Sequence, residues 1–164
     1  MMDVGGSMDP YIREVEQLFT AASKSTHFKD FRSYFFHNCV YQTVWATEEF
    51  TKPLPVVELL RTCGRNYKLV VIGDAAMAPY ELVSPRGQSF FGPPGKSGLE
   101  VLQDLQGHFE RAVWLNPEPR RYWQGAGSTR HAIGQLFPMF PLTLEGLGEA
   151  ISHLNAGKKP PSSR

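Results

Sequence analysis

The chain has 164 residues, of which 41% are hydrophobic and 20% charged, with a formal net charge of +1. That length suits one domain with a sizeable core, and the near-neutral balance excludes a nucleic acid or membrane partner selected by bulk charge. No apolar run approaches the roughly 20 residues of a membrane helix, and the N-terminus lacks the basic and apolar regions of a secretory signal. Cys39 and Cys63 lie far apart without CxxC spacing, so a cytoplasmic protein with reduced thiols is expected.

The first eight residues, MMDVGGSM, place an acid, two glycines and a serine where a chain usually frays. DPYIREVEQLFTAASKS then predicts an amphipathic helix of about four turns, with Asp9 as N-cap, Pro10 at the first helical position and Ile12, Val15, Leu18, Phe19 and Ala22 on one face. RSYFFHNCVYQTVW, dense in aromatic and β-branched residues around His37 and Asn38, reads as a hairpin at a sheet edge. TKPLPVVELLRTCG gives a short helix stopped near Gly64, and YKLVVIGD a continuous apolar strand of the kind buried on both faces, hence central.

Between Ser84 and Gly98 the richness in Gly, Pro, Ser and Phe predicts an exposed loop. A helix follows in GLEVLQDLQGHF, a strand in RAVWLNP, and a helix from about Ser128 to Phe137. A short strand around Phe140 precedes the helix TLEGLGEAISHL, capped by Thr143. Residues 1–155 are read as one domain and 156–164 as a disordered tail. Helices alternating with apolar strands imply parallel pairing and right-handed crossovers, giving a three-layer α/β sheet of doubly wound type with an antiparallel edge hairpin.

Ligands of such sheets bind outside the carboxyl ends of the central strands. Asp3 would end one strand and Asp74 ends KLVVIGD, each followed by small residues that leave its carboxylate uncrowded. With Ser7 they make three hard oxygen ligands, and few protein ligands with retained waters is the usual way to hold Mg²⁺, or another divalent cation. Two strand-end acids facing each other without a cation would repel. The alternative is that Asp3 accepts backbone hydrogen bonds in a glycine turn while Ser7 caps the helix.

DVGGSM before an amphipathic helix, and VVIGDAAMAPYEL downstream, resemble the metal-ion-dependent adhesion site of a von Willebrand factor A domain. YFFHNCVY, AVWLNPEP, YW and MFPLTLEGL, in this order, extend the resemblance to the bacterial CoxE-like group over nearly the whole chain apart from the tail. The resemblance implies a Rossmann-like sheet and a Mg²⁺ at its carboxyl edge, with Asp3, Ser7 and Asp74 at ligand positions. It also implies an open coordination position completed by an Asp or Glu of a protein partner, and association with a MoxR-type AAA+ ATPase in metalloenzyme maturation. Gly5 stands where the general pattern has a second serine, and Val56 where it has a threonine, with Thr51 a distant substitute. The strand that should precede Asp3 is reduced to Met1 and Met2, so the first central strand is expected to be nearly absent, through a late start of the reading frame or a fragment, or else in a shortened remnant that fills the gap with another chain.

GPPGKSG, residues 92–98, lacks the spacing of a phosphate loop, since Phe90 occupies the place of its first glycine; Lys96 is expected in solvent. The histidines, His27, His37, His108, His131 and His153, show no zinc spacing. Cys39 has no evident base, Trp114, Tyr122 and Trp123 read as packing aromatics, and Arg120 and Arg121 as a solvated basic pair. Glu81 reads as the cap of a short helix, or alternatively as a residue that accepts a water ligand. The expected function is a non-enzymatic, metal-dependent protein-interaction domain. Its rivals are a Mg²⁺-dependent phosphohydrolase with Asp3 as nucleophile, against which Gly5 replaces the second acid of a D-x-D motif, and a metal-free structural subunit.

Overall fold

Alternation of apolar side chains along the strands decides the layering. In the computed structural model, which describes residues 1–23, 29–85, 95–125 and 127–156, Phe36, Val44, Leu69, Val71, Ala112 and Trp114 enter one core cluster. Their strand neighbours Phe35, Ile72, Val113 and Leu115 enter a second cluster on the opposite face. A period of two that is apolar on both sides requires helices on both faces of the sheet.

In chain order, β1 (Met2–Asp3) leads through a 3₁₀ turn, Gly6–Tyr11, into α1 (Ile12–Ser23). Three short strands follow, β2 (Phe35–Phe36), β3 (Thr43–Trp45) and β4 (Pro53–Pro55), then α2 (Val56–Thr62) and β5 (Lys68–Ile72). The second half comprises α3 (Pro79–Val83), α4 (Gly98–His108), β6 (Arg111–Asn116), a 3₁₀ turn at Arg120–Tyr122, α5 (Thr129–Leu136), β7 (Met139–Pro141) and α6 (Leu144–Asn155). Among the described residues seven strands form one sheet in the order β4-β3-β2-β1-β5-β6-β7. The pairs β1–β2, β1–β5, β5–β6 and β6–β7 are parallel, while β2–β3 and β3–β4 are antiparallel. Val15 of α1 and Ala150 and Leu154 of α6 cover one face; α2, α3, α4 and α5 cover the other through Leu59, Leu82, Leu105 and Ile133. This is the expected three-layer, Rossmann-like architecture, with a first central strand of only two residues.

Two local readings need correction. Asp9 is not the N-cap of the first helix: Gly5, at φ 81°, begins the 3₁₀ turn that contains Asp9 and Pro10, and α1 starts only at Ile12. A glycine tolerates that left-handed φ without a Cβ clash, so the chain turns helical earlier than the Asp-Pro pair suggests. The expected hairpin exists, with Phe35 opposite Trp45, but it is not the edge. β4 pairs outside it, and the prolines of β4 belong there because an edge strand can omit N–H donors. Most of the loop expected between Ser84 and Gly98, and the tail beyond residue 156, lie outside the described residues. No helix among the described residues is long and apolar enough to cross a membrane.

Thr143 caps α6, its hydroxyl accepting from the Gly146 N–H at 3.1 Å. A Cβ at Gly146 would collide with the Pro141 carbonyl oxygen, whereas one at Gly148 would meet nothing within 4 Å. Helix propensity favours alanine by about 1 kcal/mol at both positions, and forcing a methyl against rigid backbone costs about 1–3 kcal/mol. Urea denaturation should therefore show Gly148→Ala stabilised by about 0.5–1 kcal/mol. Gly146→Ala should be destabilised despite the same chemical change.

Candidate metal site at the carboxyl edge

The topology by itself selects a location. From β1 the chain departs over one face through α1 to β2; from β5, which pairs with β1, it departs over the other face through α3 and α4 to β6. The connections diverge between β1 and β5, so a crevice opens at the carboxyl ends of those two strands. Asp3 is the last residue of β1, and Asp74 lies two residues beyond the end of β5.

The structure brings these two acids together. Met2 aligns with Ile72, which sets Asp3 beside Gly73, where an added Cβ would come within 3.0 Å of Asp3 Cβ. Both acids are 3% exposed, and none of the ion pairs among the described residues involves either carboxylate. Asp3 Oδ1 accepts the Asn38 N–H at 2.8 Å, and Asp74 Oδ1 accepts the Ala76 N–H at 2.9 Å. Burial pushes the Asp3 carboxyl up from 3.8 to about 7, with the negative charges of Asp74 and Glu81 adding to the shift and the Asn38 amide opposing it.

Glu81 is the third acid of the neighbourhood, 7% exposed. Its Oε2 accepts the Ala78 N–H at 2.8 Å at the start of α3, so it does cap a short helix. Its Oε1 also takes the Asn38 side-chain amide at 3.4 Å, which ties that cap to the residue holding Asp3. Ser7 is not drawn in: it is exposed in the turn after β1, and no hydrogen bond joins it to either acid. Gly5 sits at φ 81° with the His37 ring 3.6 Å from the place of a Cβ, so a serine there would be strained. His37 itself contacts the Val4 carbonyl oxygen through Nδ1 at 2.8 Å. Val56 and Thr51 contribute no oxygen here, since Val56 packs into the core and the Thr51 hydroxyl pairs with that of Thr47 at 2.8 Å.

Residues to which the sequence assigns no role at the site build its walls. Asn116, at the end of β6, donates from Nδ2 to the Asp74 carbonyl at 3.0 Å. Trp114 Nε1 donates to the Gly73 carbonyl at 2.7 Å, and Thr129 Oγ1 to the carbonyls of Ala75 and Met77 at 2.7 and 3.0 Å. Ala75 takes φ 56°, unusual for a residue with a Cβ, and these bonds hold it there. Their positions at strand ends and at a helix start on the carboxyl side of the sheet are the signal that could have found them. A cavity of about 360 Å³ opens beside Asp3 under α1, lined mainly by apolar side chains such as Met2, Met8 and Val15.

Other expectations resolve simply. Lys96 is exposed and pairs with Asp104. The Cys39 thiol is buried and pushed up to about 12 by that burial, the state of an inert packing thiol. Arg120 bonds Glu149 at 2.8 Å and lies over the Trp123 ring, and Arg121 lies over Tyr122.

Fold and site together define a Rossmann-like α/β protein with two buried acids at its topological switch point. Comparison of the chain with protein-family models, curated proteins and solved structures finds no match.

The Asp3 shift makes a prediction for the metal-free chain. An unfolded chain ionises Asp3 near pH 3.8 and the folded one near 7, so the folded state binds more protons across that window. The Asp3 contribution to stability falls as pH rises from about 4 to 7, by up to about 4 kcal/mol, and stays low above it. The buried Met1 amine, lowered to about 5, acts with the opposite sign, so the informative quantity is the difference between wild type and Asp3→Asn. Chemical denaturation at pH 4 and pH 8 should show the variant gaining on wild type at the higher pH.

Proposed function

We propose that this chain is a metal-ion-dependent protein-interaction module. Asp3 and Asp74 would hold a divalent cation, Mg²⁺ foremost, with the Ser7 hydroxyl close by in sequence and able to join or to act through a water. The cation would supply a coordination position for an Asp or Glu carboxylate of a protein partner. The observation that carries this reading is the pair of buried strand-end carboxylates at the switch point, neither of them in an ion pair among the described residues. Hard oxygen donors in small number, leaving room for retained water, suit Mg²⁺ better than the softer metals.

The likeness of DVGGSM and VVIGDAAMAPYEL to the adhesion site of von Willebrand factor A domains supports the same reading. The CoxE-like order of the remaining motifs suggests a MoxR-type AAA+ ATPase as partner, with metalloenzyme maturation as the setting. Binding rather than turnover fits the acid inventory: the position two residues after Asp3 is Gly5, which cannot serve as the second acid of a phosphoryl-transfer pair.

Calorimetric titration of Mg²⁺ into the full chain at pH 8 should show one saturable site. Asp74→Asn keeps the shape of the side chain but removes a charge, and should weaken the affinity about tenfold or more, the usual consequence of losing a charge-assisted contact. Ser7→Ala should cost less. Equal affinities for wild type and Asp74→Asn would refute the assignment.

A further inference from the structure

Arg130 stands at the second position of α5, and its surroundings hold it in place. Ser128 caps the helix by accepting the His131 N–H at 3.1 Å, and Thr129 fastens the first turn to the loop that carries Asp74. Arg130 Nε donates to the Asp74 carbonyl oxygen at 3.2 Å, so the guanidinium lies against the loop that carries Asp74 after β5.

The fork of that guanidinium is left open. Arg130 Nη1 and Nη2 donate to no acceptor among the described residues, and no carboxylate forms an ion pair with it. A counter-charge for the buried acids would turn its fork to a carboxylate; here only Nε is engaged, and with a backbone carbonyl. The Glu118 carboxylate accepts the Tyr11 hydroxyl at 3.2 Å and forms no ion pair with Arg130. The other basic groups on this rim differ, since Arg120 is paired with Glu149 and Arg121 is laid against Tyr122. A half-buried guanidinium held at its neck, whose Nη groups meet no acceptor among the described residues, is a receptor for a planar, bidentate anion.

We infer that Arg130 is the second anchor of the docking site, and that the partner presents two neighbouring acidic side chains, one to the cation held by Asp3 and Asp74 and one to Arg130. This rests on the proposed function for its first anchor only. It narrows the partner chemistry from any exposed carboxylate to a paired acidic motif, because the two anchors flank the same Asp74 loop.

Two capped peptides, Ala-Glu-Glu-Ala and Ala-Glu-Ala-Ala, titrated into the full chain with saturating Mg²⁺ and followed by NMR, test it. Wild type should favour the diacid about tenfold, as a charge-assisted bidentate contact implies, and Arg130→Gln, kept under saturating Mg²⁺, should erase that preference. Arg130→Lys should keep part of it. A diacid preference that persists in Arg130→Gln, or one missing from wild type, overturns the inference even if monoacid binding requires Mg²⁺. Conversely, a preference erased by Arg130→Gln but indifferent to chelator leaves Arg130 as the anion anchor and overturns the metal reading instead. Thermal unfolding of each variant confirms that the fold is kept.

Discussion

The carboxyl of Asp3, buried against Asp74 where two parallel central strands part, is the constraint on which the rest of the carboxyl edge depends. Charged groups are rarely buried without a partner, because desolvation costs several kcal/mol per ion. Here the backbone amide of Asn38 compensates in part, and the residual cost appears as a carboxyl held up at about 7. A core that wanted only stability would place an apolar residue there. Keeping two acids at that point is what the proposed cation site would require.

The surrounding structure is arranged to keep the acids near each other. Gly73 permits the close approach of β1, and Trp114, Asn116 and Thr129 bind the successive carbonyls of Gly73, Asp74, Ala75 and Met77. These bonds run from β6 and α5 to the loop after β5, so the loop is fixed by two elements as well as by its own Asp74–Ala76 turn. On the other side, His37 and Asn38 brace the glycine turn after β1, and Asn38 links Asp3 to Glu81. Rigid support of this kind is what positions charged groups within the tolerance a metal or a partner carboxylate demands.

Much of this was legible in the sequence, for reasons that differ by element. LVVI and AVWL are apolar at every position, which only a doubly covered parallel strand tolerates, so β5 and β6 and the layer order followed directly. Asp3 and Asp74 could be placed because each closes an apolar run. What stayed hidden depended on contacts between distant segments. β4 carries two prolines and no alternation, so only its pairing with β3 reveals it as a strand. Arg130 and Thr129 read locally as the start of an ordinary helix, and their value comes from a loop more than 50 residues earlier. Ser7 is a different case: its spacing from Asp3 points to a ligand, and the early 3₁₀ turn places it exposed, with no hydrogen bond to either acid.

Under the proposed metal reading, Asp3 keeps its proton near pH 6 in the free protein and gives it up when a cation binds. The most direct measurement is the number of protons released when Mg²⁺ binds, from calorimetry in buffers of different ionisation enthalpy. With the carboxyl at about 7, the release should be a large fraction of one proton near pH 6 and close to none at pH 8.5. It should vanish in Asp3→Asn. Binding without proton release at pH 6, or no Mg²⁺ binding at either pH, would contradict the account.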